Sequence, residues 1–138
     1  MFVLREAKLT ESIIGAFFEV YNTLGFGFLE YIYCMAMERE LRARGHQVGR
    51  EVQVRINYKG EDLAIQRLDM IVDGRVIVET KSTLDLHSSA RRQLRNYLQA
   101  TNIEVGLLLH FGTKAEFYRE YNSWDFVKLR PRSADTDA

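Results

Sequence analysis

The chain has 138 residues, 46% of them apolar, and its 19 lysines and arginines balance its 19 aspartates and glutamates. That size allows one domain with a buried core, and the neutral balance excludes a global field drawing the chain onto nucleic acid or membrane, so a polyanion would need a local patch. A single cysteine, Cys34, excludes an intramolecular disulfide, and no apolar run approaches the ~20 residues of a membrane helix.

The start carries no signal-peptide core. The sequence therefore reads as a soluble cytoplasmic protein, one domain over 1–130 with a polar, disordered tail over 131–138. Thr10 predicts a helix N-cap, with Leu9 and Ile14 placed as a hydrophobic staple. Ile13, Ile14, Phe17, Phe18, Tyr21 and Leu24 recur at helical spacing, and Gly25 suits a left-handed stop. After the tight Gly25-Phe26-Gly27 connection, a second helix is predicted from Leu29 to Arg44, ended by Gly45. Glu38/Arg42 and Glu40/Arg44 pair along its solvated face. Glu30 lies in its first turn, where a carboxylate suits the helix dipole.

Val52, Val54, Ile56 and Tyr58 alternate with polar residues, which predicts a strand with one wet face. Lys59-Gly60-Glu61-Asp62 is the turn into two apolar strands, Arg67 to Val72 and Arg75 to Lys81, joined at Asp73-Gly74. Leu68, Met70, Val72, Val76 and Val78 fill one phase of the alternation; Ile71 and Ile77 occupy the other. Both phases are apolar, the pattern of a central pair covered on both faces. A polar loop then leads to a helix from His87 to Thr101, with Leu94, Tyr97 and Leu98 as its apolar stripe and Arg91, Arg92 and Arg95 as a basic cluster. Val105 to Phe111 is a buried strand and Ala115 to Tyr121 an edge strand. The order predicts an α/β domain around a mixed sheet flanked by helices.

Three charges sit in the central pair: Asp69, Glu79 and Lys81. Charge there is costly without a partner or a metal. Glu79 and Lys81 are two apart on a strand and point to one face. Two carboxylates converging on that face suit a hard cation such as Mg²⁺, and Lys81 would position or deprotonate a water beside it. A buried ion network without chemistry accounts for the same three residues. Register decides whether the carboxylates meet. A two-residue Asp-Gly turn would set Asp69 opposite Val78 and turn it away from Glu79. An odd-length loop, such as Val72-Asp73-Gly74 with Gly74 in a left-handed bulge, restores the shared face and is predicted here.

Asp69, Glu79-Thr80-Lys81 and the later Gln93-Leu94-Arg95-Asn96-Tyr97 together resemble the PD-(D/E)XK nuclease superfamily and the QxxxY motif of its RecB-like branch. Gly27, Glu30 and Tyr33 match the motif of the small GxxExxY family, which the stretch from Thr10 to Gly112 resembles. The resemblance implies a restriction-endonuclease-like α-β-β-β-α-β core, binding of Mg²⁺ or Mn²⁺, and phosphodiester hydrolysis. By position it makes Asp69 and Glu79 metal ligands, Glu30 an accessory acid expected near enough to reach the metal directly or through water, Lys81 the catalytic lysine and Gln93 an orienting residue. Nucleic-acid contacts would come from Arg91, Arg92, Arg95 and Tyr97. Two positions depart from the family: Ala90 stands where a His is expected, and Leu68 replaces the proline before Asp69. His46, His110 and Cys34 read as structural. A divalent-metal nuclease is the leading function, with a non-hydrolytic nucleic-acid- or protein-binding module on the same fold as the alternative. DNA against RNA, end against internal cutting, and monomer against homodimer stay open.

Overall fold

The computed structural model describes residues 5–122. The elements are α1 (Ala7–Leu24), α2 (Glu30–Ala43), β1 (Val48–Tyr58), β2 (Glu61–Val72), β3 (Val76–Lys81), α3 (Ala90–Thr101), β4 (Val105–Phe111) and β5 (Ala115–Tyr121). The strands lie in the order β1-β2-β3-β4-β5. Only β3 and β4 are parallel, because the α3 crossover joins them; the other neighbours are antiparallel. The predicted mixed sheet between helices is therefore the observed architecture. The disordered tail expected over 131–138 falls outside the described residues.

The sheet is covered on both faces, as the two apolar phases of its centre require. On one side Ile13 and Phe17 of α1 and Met37 and Leu41 of α2 pack on Met70, Val72, Val78 and Leu107. On the other, Leu94 and Leu98 of α3 meet Ile77, Leu108, Val54 and Leu68. Contact is close enough there that a Cβ on Gly106 would lie 2.8 Å from Leu94 Cδ1, so glycine lets α3 sit flat on β4. Burying these side chains contributes roughly 1.5–3 kcal/mol each before entropy is counted.

Three local expectations change. Thr10 is not the N-cap: α1 begins one turn earlier, and Thr10 is buried within it, its hydroxyl donating to Glu6 O at 2.9 Å. Threonine can back-bond to a carbonyl inside a helix as readily as it caps one. Leu68 joins the α3 side rather than the Met70 and Val72 side. The β1–β2 pairing skips Glu51 and Asp69, with Glu51 at φ 51°, and this distortion breaks the alternation. The third helix starts at Ala90, because His87 is held in a turn by Ser89, whose backbone N–H donates to the imidazole Nδ1 at 3.1 Å. Among the described residues no helix is long and apolar enough to cross a membrane.

Candidate active site

Strands β2 and β3 pair Met70 with Val78, Ile71 with Ile77 and Val72 with Val76. That leaves Asp73, Gly74 and Arg75 as a three-residue loop, with Asp73 at φ 52° and Gly74 at φ 67°. The loop is odd, as predicted, although it lies one residue later than Val72-Asp73-Gly74. Continued outward, the register sets Asp69 level with Glu79.

At that level the ladder opens and side chains replace backbone carbonyls. The Asp69 N–H donates to Glu79 Oε2 at 2.9 Å. The Thr80 N–H donates to Asp69 Oδ2 at 2.7 Å, and the Thr80 hydroxyl to the same oxygen at 3.1 Å. Each carboxylate is thus oriented through one oxygen. The other oxygens, Asp69 Oδ1 and Glu79 Oε1, accept no hydrogen bond among the described residues. Thr80 is a positioning residue that the sequence reading passed over. Its signal was a polar side chain turned, by alternation, away from Glu79 and Lys81. It is fully buried and its hydroxyl lies 2.9 Å from Cys34 Sγ. Because that hydroxyl donates to Asp69, the Cys34 thiol donates to it. Burial, reinforced by the Asp69 charge, pushes the thiol up to about 11, so it stays protonated.

The charges are crowded. Burial, then the neighbouring Asp69 carboxylate, pushes Glu79 up to about 8; Lys81 and the Asp69 N–H pull the other way. Glu30, at the start of α2, is raised by partial burial and by Asp69, and lowered by Lys81. It remains exposed, at the rim of the cluster. Tyr97 is buried on α3, and its phenol is raised by burial and then by the charges of Glu79 and Asp69. Gln93, one turn earlier, is exposed and its side chain makes no hydrogen bond among the described residues.

Tyr33 explains how Glu30 arrives there. Its hydroxyl donates to Gly25 O and accepts from the Phe28 N–H at 3.2 Å. Its ring stacks on Phe111 of β4 with centroids 4.1 Å apart. The loop turns through Gly25 at φ 74° and Gly27 at φ 114°, conformations that favour glycine. Phe28 O then accepts from the hydroxyl of Ser82, the residue after Lys81. So the glycine and the tyrosine of the motif shape one loop, Ser82 ties that loop to the end of β3, and the acid of the motif follows directly on it.

The basic cluster is less available than its sequence suggests. Arg91 and Arg95 both pair with Glu120 of β5, Arg95 Nη1 at 2.8 Å from its Oε1. Arg91 also lies 4.9 Å over the Tyr118 ring. Arg92 is exposed and makes no ion pair among the described residues. His46 and His110 are structural, as expected. His46 lies between Ser12 Oγ and Asp73 Oδ2, each at 2.7 Å, tying α1 to the β2–β3 loop. His110 Nε2 is 2.9 Å from Thr83 O and steadies the loop after Lys81.

Two carboxylates held side by side across the strand pair, each with an oxygen free of hydrogen bonds among the described residues, suit a hard divalent ion. Among the described residues, however, no three His, Cys, Asp or Glu side chains are gathered to hold an ion by themselves. Glu30 is therefore beside the pair and not drawn in with it.

A solved structure carries the same fold. The crystal structure of SSO0001 is 21% identical, with a TM-score of 0.54, over 84% of this chain and 58% of that one. This chain thus spans less than two thirds of that protein's length. An alkaline exonuclease from Laribacter hongkongensis is 11% identical, with a TM-score of 0.46, over 91% of this chain and 75% of that one. No curated protein matches the sequence significantly. The profile of the PD-(D/E)XK nuclease superfamily matches residues 7–120, a span that holds both carboxylates, the lysine and the sheet that joins them. The chain belongs to the PD-(D/E)XK nuclease superfamily.

Proposed function

We propose that this chain is a divalent-metal-dependent nuclease, of the GxxExxY type and the RecB-like QxxxY branch, that hydrolyses nucleic-acid phosphodiesters. The observation that carries it is the pairing of Asp69 with Glu79, each held by a backbone N–H on one oxygen and open on the other. These are the residues that would hold Mg²⁺ or Mn²⁺, with Glu30 adding negative charge at the rim. When bound, such an ion polarises the scissile phosphodiester and stabilises the leaving oxygen. Lys81 lies close enough to influence both Glu79 and Glu30, and would orient the attacking water or take its proton. Tyr97 walls the site on the α3 side, and Gln93 on the same helix face would orient substrate.

The test is cleavage of labelled single- and double-stranded DNA and RNA in Mg²⁺ or Mn²⁺. Asp69→Asn and Lys81→Ala should each abolish it. Cutting that persists without a divalent ion, or that is equal in wild type and Asp69→Asn, would contradict the reading. One observation favours the alternative, a non-hydrolytic binding module: two of the three arginines on α3 are engaged by Glu120. Binding with no cutting of any of these substrates would select it.

A further inference from the structure

Beside the carboxylates lie apolar side chains that the proposed chemistry does not use. Leu29 is 69% exposed, Tyr31 58% and Phe28 47%, and all three flank Glu30 in sequence. Leu84, 68% exposed, belongs to the loop that follows Lys81, the loop whose Ser82 hydroxyl donates to Phe28 O. Two rings and two aliphatic side chains are therefore exposed on the two segments that the hydrogen bond from Ser82 to Phe28 ties together, the segments that carry Glu30 and follow Lys81. Such a rim in water has a cost unless something covers it.

Resting on the nuclease reading, we infer that this rim is a stacking platform for unpaired nucleobases, and that the chain takes single-stranded or frayed nucleic acid into its site. Two features select this occupant. The exposed stretch from Phe28 to Tyr31 is interrupted by Glu30 and carries no cation of its own for phosphates, so it favours the uncharged faces of bases. The phosphate-binding charge is also thin, since Arg91 and Arg95 are held by Glu120 and the net charge is zero. Affinity that does not come from phosphates must come from stacking. A duplex hides its base faces except at its ends; an unpaired strand offers them along its length.

The experiment is binding of labelled oligonucleotides to the full chain in Ca²⁺, by fluorescence anisotropy. It compares a deoxyribose strand, the ribose counterpart, a strand of equal length with abasic residues, and a blunt duplex. The intact strand should bind roughly tenfold or more tighter than the abasic one. Leu29→Ser with Tyr31→Ala should erase that difference while leaving Mn²⁺ binding and Tm unchanged. Both residues are exposed, so folding is not at stake. Equal binding of intact and abasic strands, a duplex bound as tightly as the single strand, or no binding at all would overturn the inference. So would loss of self-association in the double variant, by sedimentation, with oligonucleotide binding intact; the rim would then cover a second copy. Base-dependent binding without cutting defeats the nuclease reading alone, whereas cutting without base dependence defeats only the stacking platform. The deoxyribose and ribose arms identify which strand is preferred.

Discussion

The Asp69 N–H donates to Glu79 Oε2 at 2.9 Å, so Glu79 stands where a β3 carbonyl would have continued the ladder. A carboxylate in that place is buried, faces a second carboxylate, and titrates late. Both effects oppose its charge more than the N–H and Lys81 favour it.

Stability without a divalent ion should therefore fall as pH rises. Glu79 moves from 4.5 to about 8 in the folded chain. A group raised on folding leaves stability intact below its unfolded value and removes it progressively up to its folded value. The loss thus runs between pH 4.5 and about 8. Glu79→Gln keeps an oxygen for the Asp69 N–H and cannot ionise. Its Tm relative to wild type should climb across that window, measured by calorimetry in chelator. Parallel Tm curves for the two proteins would contradict the account.

Ion binding should follow the same proton. Below pH 8 the ion must displace it from Glu79, so Mn²⁺ affinity should rise with pH, by at most about tenfold per unit. Asp69→Asn should weaken that affinity. Lys81→Ala should leave it unchanged or tighter, because a nearby positive charge has gone, and should still abolish cutting. Titration calorimetry read beside cleavage separates the roles. A lysine variant that loses ion binding would make Lys81 structural.

Tyr33→Phe tests the loop. The stacking on Phe111 survives, but the hydroxyl no longer joins Gly25 O to the Phe28 N–H. About 1 kcal/mol of stability should be lost, the ordinary net worth of a hydrogen bond. Cutting should fall by more than that loss explains, since Glu30 and the apolar rim follow this loop. Hydrogen exchange over Gly25 to Leu29 should quicken, and unchanged exchange would rule out a role in holding the loop.

Much of this was legible in the sequence because periodicity reports faces. The apolar phases of Met70 to Val78 predicted a doubly covered centre, and the need for Asp69 and Glu79 to meet predicted an odd loop. Less legible were features that depend on distant partners. Arg91 and Arg95 read as a phosphate patch because Glu120, 29 and 25 residues away, gave no local sign of reaching them. Thr80 looked like a spacer between two charged residues, and its work depends on Asp69 across the strand pair. Leu68 changed sides through a distortion that no alternation count contains.

Asp73 carries a different pH dependence. Burial opposes its charge, but the Gln47 N–H at 2.8 Å and His46 at 2.7 Å overcome this and hold its carboxyl below the usual range. A lowered folded value gives stability that is present above the ordinary value of 3.8 and lost as pH falls below it. Asp73→Asn should therefore lower Tm clearly at pH 7 and much less in strong acid. An equal loss at both would mean that packing, and not charge, accounts for the effect.

The arginines on α3 give the last prediction. Glu120 is 5% exposed and its charge is met by Arg91 and Arg95, whose side chains are 47% and 36% exposed. Removing either arginine strands part of a buried charge, so Arg91→Ala and Arg95→Ala should lower Tm. Glu120→Gln does the reverse for the surface: it keeps an acceptor and releases two cations toward solvent. Nucleic-acid affinity at low salt should then rise several-fold, and the salt dependence should steepen by up to about two phosphate contacts. Arg92→Ala, which breaks no ion pair among the described residues, should weaken binding by about one contact with Tm unchanged. If Glu120→Gln leaves the salt dependence as it was, the α3 arginines do not face the bound strand.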